Sequence, residues 1–115
     1  MRASSLTLLT FLATWMAGYQ PSLAAEQDKF VAQGRAFAEH KCGRCHALGE
    51  NDVSPHPQAP PFRLVVERYP SENLAEALAE GIVSGHPDMP VFVLKPHEIE
   101  AFLAYIDSLG RGQKK

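Results

Sequence analysis

The sequence predicts one small, all-α domain on the basis of three observations. The chain has 115 residues, which is enough for a single domain. Apolar residues recur at helical spacing in three segments, and stretches rich in proline separate those segments. No stretch of useful length alternates apolar and polar residues as a half-buried strand does. We therefore expect about three helices.

The N-terminal residues have the pattern of an export signal. After a basic start, the apolar run from Leu6 to Gly18 is too short to span a bilayer as a stable helix. Small residues follow at Ser22, Ala24 and Ala25, as expected before a signal peptidase site. Cleavage after Ala24 is preferred, because cleavage after Ala25 would place Leu23 where a small residue is expected.

The predicted organisation is therefore a secretory signal peptide over residues 1–24 and one folded domain over residues 25–115. An uncleaved membrane anchor is the alternative. We expect a periplasmic protein with no stable membrane insertion after signal cleavage.

The first predicted helix covers Gln27 to about Lys41, a stretch without proline. Residues 49–61 contain four prolines together with Gly, Asn, Asp and Ser, which predicts a loop without regular structure.

The second predicted helix lies between about Pro70 and Val83. Ser71 is a candidate N-cap, and Gly81 and Gly85 are expected to close the segment. Its apolar face consists of Leu74, Leu78 and Ile82.

The last predicted helix begins at Pro96, whose missing N–H costs nothing in the first turn. Glu98 and Glu100 lie near the positive end of its dipole, and Gly110 is expected to end it in a left-handed conformation. Its apolar stripe consists of Ile99, Phe102, Leu103, Ile106 and Leu109.

Composition excludes one class of function. The formal net charge is −2 and no basic stripe is present, so we expect no nucleic-acid partner. A domain this small is often stabilised by a disulfide, a metal or a bound cofactor, and both cysteines of the chain lie in one short motif.

That motif is Cys42-Gly43-Arg44-Cys45-His46, and its spacing is typical of haem attachment. Two thiols three residues apart can reach the two vinyl groups of one porphyrin and form thioethers. The histidine after the second cysteine then lies beneath the iron, where a neutral imidazole nitrogen can bind it.

Three other interpretations of the motif are weaker. A thioredoxin-like dithiol requires an α/β setting, which the sequence does not have. A structural zinc site requires four ligands at close spacing, and only one cysteine pair is present. A plain disulfide leaves His46 unexplained.

The sixth ligand of the iron determines the chemistry, and Met89 is the preferred candidate. It is the one methionine left after signal cleavage, and it lies in a turn-rich segment rather than in an apolar helical stripe. A thioether favours ferrous iron, and a His/Met iron is closed to substrates, which suits electron transfer. The alternative ligands are His86 and His97, with His40 and His56 less well placed.

From about Phe30 to Leu109 the chain resembles a class I single-haem cytochrome c. The matching elements occur in the family's order: Gly34, CGRCH, Ala59-Pro60-Pro61-Phe62, Met89-Pro90 and Phe102-x-x-Tyr105. The resemblance implies the small cytochrome c fold, with the helices wrapped around one covalently bound haem c.

The resemblance also implies roles for individual residues. Cys42 and Cys45 would carry the thioethers, and His46 and Met89 would bind the iron.

Around these ligands, Pro60 would accept a hydrogen bond from the His46 ring, and Phe62 would lie against the porphyrin. Gly34 would let the first helix approach Phe102 and Tyr105 of the last. One departure is Ala38, because the family often has an aromatic residue at this position.

The expected function is that of a monomeric periplasmic one-electron carrier, with no catalytic residues, that docks transiently with a dehydrogenase, reductase or terminal oxidase. The alternatives are a cytochrome subunit of a dehydrogenase or oxidase complex, and a haem-based gas sensor or peroxidase. Arg68 and Tyr69 are candidate donors to a haem propionate, although ordinary surface positions explain them equally well.

Overall fold

The computed structural model describes residues 22–82 and 87–112, and within those ranges the chain forms four helices and no strand. The helices are α1 (Leu23–Lys41), α2 (Phe62–Arg68), α3 (Ser71–Glu80) and α4 (Pro96–Gly112). The all-α prediction is therefore confirmed. None of the helices in the described residues is long and apolar enough to cross a membrane.

Most of the predicted signal peptide lies outside the described residues, as do Gly85 and His86. Helix α1 begins earlier than predicted, because the Ser22 side chain accepts a hydrogen bond from the Ala25 N–H at 3.3 Å and caps the first turn.

The crossing of α1 and α4 organises the domain. At Gly34 the helices are so close that a Cβ atom would overlap the carbonyl oxygen of Ala101 and lie 2.9 Å from the Tyr105 Cβ atom. Beside this contact, the Phe37 ring packs edge-on to Phe102 with 6.2 Å between the centroids. Gly34 therefore has the predicted role. The small side chain of Ala38 is fully buried, so the aromatic residue at this crossing comes from Phe37 instead.

Helix α4 supplies most of the core. The predicted stripe faces inward, with Tyr105 and Ile106 the most completely buried large side chains of the described residues. The buried core consists of Ala38, Phe62, Leu78, Ile99, Phe102, Tyr105, Ile106 and Leu109.

The sequence did not predict α2. Its seven residues include the β-branched pair Val65 and Val66, and so short a segment has little helical stability of its own. Packing stabilises it instead, since the Phe62 ring is buried against Phe102 and Val66 faces Gly110 of α4.

Two predictions about helix ends were wrong. The N-cap of α3 is Pro70, and the Ser71 hydroxyl donates to Asp107 of α4 at 2.7 Å instead of capping the helix. Gly110 lies inside α4, which continues to Gly112, and it faces Val66 of α2. Gly81 does end α3, with a φ of 99° that favours glycine.

Candidate haem-binding site

The Cys42–His46 motif forms the turn that follows α1. The Cys42 and Gly43 N–H groups both donate to the Ala38 carbonyl, at 2.8 and 2.9 Å, and so satisfy the end of the helix. The Cys45 and His46 N–H groups then donate to the Cys42 carbonyl at 3.0 and 2.9 Å. This local winding brings both sulfurs and the imidazole to the same side of one turn.

Three hydrogen bonds attach the proline-rich loop to this turn. The Ala47 N–H donates to the Ser54 hydroxyl oxygen at 3.0 Å, and the Ala47 carbonyl accepts from the Phe62 N–H at 3.1 Å. The His56 N–H donates to the Cys45 carbonyl at 3.2 Å. The loop is therefore held close to the histidine, although it has no regular secondary structure, as predicted.

The orientation of the His46 ring is set by Pro60. Its Nδ1 lies 2.8 Å from the Pro60 carbonyl oxygen, and because a carbonyl can only accept, Nδ1 carries the proton. The Nε2 atom of a neutral ring then keeps its lone pair, which is the form that binds a metal. The Phe62 ring stacks on the imidazole at 4.9 Å between centroids and 14° between planes, which restricts rotation further.

These side chains line a cavity of about 440 Å³, which lies within the usual range of roughly 300–1,000 Å³ for cofactor sites. Its walls come from α1, the proline-rich loop, α2, α3, residues 87–94 (the Met89 segment) and Phe102 of α4. Most of the side chains that line it are apolar. All six sequence-predicted binding residues line it, namely Cys42, Cys45, His46, Pro60, Phe62 and Met89.

The cysteines suit covalent attachment of a cofactor. Both are free thiols and partly buried, and the plain disulfide is not formed. Burial, together with the nearby Cys45, raises the pKa of the Cys42 thiol to about 11, so it stays protonated at neutral pH. Each thiol could add to a vinyl group of a bound cofactor: the S–H bond and the C=C π bond would break, and one C–S bond and one C–H bond would form.

Apart from His46, the structure describes three histidines, of which one lines the cavity and two do not. His56 lines the cavity with Met89, although the sequence ranked it below His97 as a ligand. His40 on α1 and His97 on α4 are exposed and are not among the residues lining this cavity. Met89 is half-buried, next to exposed Asp88 and Pro90.

Sequence reasoning missed two polar residues of the cavity wall, Asn73 and Gln58. Of the two residues that the sequence offered as propionate donors, Tyr69 lines the cavity and Arg68 does not. Asn73 could have been found from its register, because it precedes Leu74 and lies four residues before Ala77 on the same inward face of α3. Tyr69 and Asn73 are therefore better placed than Arg68 to meet a polar edge of a bound group.

The chain was compared with families, curated proteins and solved structures. The family model described as Cytochrome c matches residues 31–110, a range that contains the Cys42–His46 turn, the Pro60 loop and Met89. No curated protein and no solved structure gave a significant match. The extent of the family match, together with the thiol pair beside a histidine in an apolar cavity, shows that the chain belongs to the cytochrome c family, whose members carry covalently attached haem c and transfer electrons.

Proposed function

We propose that this chain is an exported, periplasmic one-electron carrier in which His46 and Met89 bind the iron of a single haem c. Membership of the family accounts for the haem and for electron transfer.

The observation that carries the proposal is the hydrogen bond between His46 Nδ1 and the Pro60 carbonyl oxygen. It directs the lone pair of Nε2 away from the loop and makes the imidazole a stronger ligand. Cys42 and Cys45 lie in the same turn, so a porphyrin attached to both would be held over this ring. Phe62 stacks on the imidazole and supports it from one face.

Met89 supports a carrier rather than a substrate-binding haem. It lines the same cavity as His46. Its thioether would give a six-coordinate iron with a raised reduction potential and no open position for oxygen or peroxide. When bound, the haem supplies the redox chemistry, and the chain orients it, excludes water and adjusts its potential.

Absorption spectroscopy of the holo-protein tests the ligand pair. A ferric iron bound by methionine shows a weak absorption band at about 695 nm, which we expect in the wild type. Met89→Leu, which nearly conserves volume, should lose the band and keep covalent haem. His97→Ala and His40→Ala are matched controls and should keep it. A wild type that lacks the band and binds CO readily would instead support a gas sensor or peroxidase.

One observation favours the second candidate, a cytochrome subunit of a dehydrogenase or oxidase complex. Val91 and Val93 are 59% and 69% exposed, and they alternate along the chain with Phe92 and Leu94, which line the cavity. Exposed apolar residues close to a redox centre suit a protein contact. Sedimentation of the haem absorbance in a periplasmic extract separates the two candidates, because a free carrier sediments as a small species and a subunit sediments with a larger one.

A further inference from the structure

One side-chain contact connects the proline-rich loop to the segment that carries Met89. The Nε2 atom of His56 lies 3.3 Å from the Oδ2 atom of Asp88, across 32 residues of sequence. The His56 side chain is 31% exposed and the Asp88 side chain is 73% exposed, so the contact lies at the surface, over the edge of the cavity that both residues line.

His56 is held in place at two points before it reaches Asp88. Its backbone N–H donates to the Cys45 carbonyl at 3.2 Å, inside the haem-attachment turn. Its Nδ1 atom accepts a hydrogen bond from the Gln58 N–H at 3.2 Å. Because Nδ1 is an acceptor, Nε2 carries the ring proton and donates it to the Asp88 carboxylate, and this donation does not require a charged ring.

In the part of the chain that the structure describes, few hydrogen bonds hold the residues next to Met89. Pro87 and Pro90 have no N–H group, so backbone donors are scarce on both sides of Met89. Among the described residues, the next backbone hydrogen bond that anchors this part of the chain runs from the Leu94 N–H to the Leu78 carbonyl at 2.9 Å. Closer to Met89, the hydrogen bond that the described residues show is the one between Asp88 and His56.

We propose that His56 is a positioning residue that holds the Met89 segment closed over the haem by donating to Asp88. This inference rests on the proposed function, because it assumes that Met89 binds the iron. The contact joins the turn that holds the haem to the segment that supplies its second ligand. Its loss raises the fraction of molecules in which Met89 has left the iron.

An exogenous ligand measures that fraction. Imidazole binds the ferric iron after Met89 dissociates, so its apparent affinity is proportional to the population of the open form. An exposed charged hydrogen bond of this kind corresponds to a change of about two- to fivefold in that population. His56→Ala and Asp88→Ala should therefore each tighten imidazole binding by about two- to fivefold.

Four further variants make the experiment specific. Asp88→Asn keeps an oxygen acceptor without its charge and should bind imidazole with an affinity between those of the wild type and Asp88→Ala. His40→Ala and Glu100→Ala remove an exposed histidine and an exposed acid elsewhere, and should leave the affinity unchanged. The double variant of His56 and Asp88 should bind no more tightly than the stronger single variant, because both substitutions remove the same contact.

The Met89→Ala background separates the inference from the function on which it rests. Without Met89 there is nothing to displace, so adding His56→Ala should not change imidazole affinity. An effect that persists there, or single variants that bind like the wild type, would overturn the role of His56. A 695 nm band that survives Met89→Ala would instead overturn Met89 as a ligand, whatever the His56 variants do.

Discussion

Replacing Gly34 with alanine tests the packing on which the domain depends. The added Cβ atom would overlap the Ala101 carbonyl oxygen and lie 2.5 Å from its carbon, whereas ordinary contacts begin near 3.4 Å. A backbone carbonyl cannot rotate away as a side chain can, so α1 and α4 must move apart to relieve the overlap. Overpacking of this kind costs up to about 3 kcal/mol, and the better helix propensity of alanine offsets about 1 kcal/mol.

The expected net loss is about 2 kcal/mol in the free energy of unfolding, or a fall in Tm of roughly 8–16 °C for a domain of this size. Thermal and guanidinium unfolding of the holo-protein, followed by far-ultraviolet circular dichroism, would measure it.

The matched control is Gly110→Ala. Gly110 is also helical, but there the new Cβ would lie 3.3 Å from the Cγ2 atom of Val66, a side chain that can shift. This variant should range from unchanged to about 1 kcal/mol more stable. If both variants melt at the same temperature, the close approach at Gly34 does not determine stability and the reasoning is refuted.

Three further predictions concern single contacts and the cofactor. Burial holds the pKa of Tyr105 above its ordinary value near 10. The stability that comes from the neutral phenol is therefore present below about pH 10 and is lost as pH rises through the folded-state pKa. Carbon-13 NMR of labelled tyrosine and unfolding from pH 9 to 12, with Tyr105→Phe as control, would measure this, and a phenol that titrates below pH 10 would contradict it. Ser71→Ala removes the hydrogen bond to Asp107 and should lower the free energy of unfolding, measured by urea denaturation, by about 1.5 kcal/mol. Adding Asp107→Ala should lower it little further, because the hydrogen bond is already absent. If Cys42 and Cys45 attach the haem as proposed, replacing both by serine should prevent covalent attachment. Where the haem is then lost, the mostly apolar walls of its cavity face water, so thermal unfolding followed by circular dichroism should show a strongly destabilised chain; a melt like that of the wild type would argue against this.

Prediction from sequence succeeded where the determining interactions are local. The stripe on α4 repeats at the helical period, so its buried face could be named before any contact was known. It failed at α2 and at the two helix ends, where contacts between helices decide the outcome. Ser71 has the chemistry of an N-cap, yet its hydroxyl donates a hydrogen bond to the Asp107 carboxylate on α4. Gly110 has the conformational freedom to end a helix, yet it lies inside α4 and faces Val66 of α2.

The candidate site likewise has a part that the local sequence encodes and a part that depends on tertiary contacts. The haem-attachment motif is contained in five consecutive residues, because the two thiols and the imidazole need only one turn of chain to share a face, and the sequence by itself therefore determined the cofactor and the family. Which distant groups complete the site was decided by the tertiary structure. The Pro60 carbonyl lies against the His46 ring where the loop folds back onto the turn, and the His56 N–H donates to the Cys45 carbonyl there. Asp88 meets His56 across 32 residues of sequence. The Pro60 contact was expected only from the resemblance to a family, and no local pattern encodes either pair of partners.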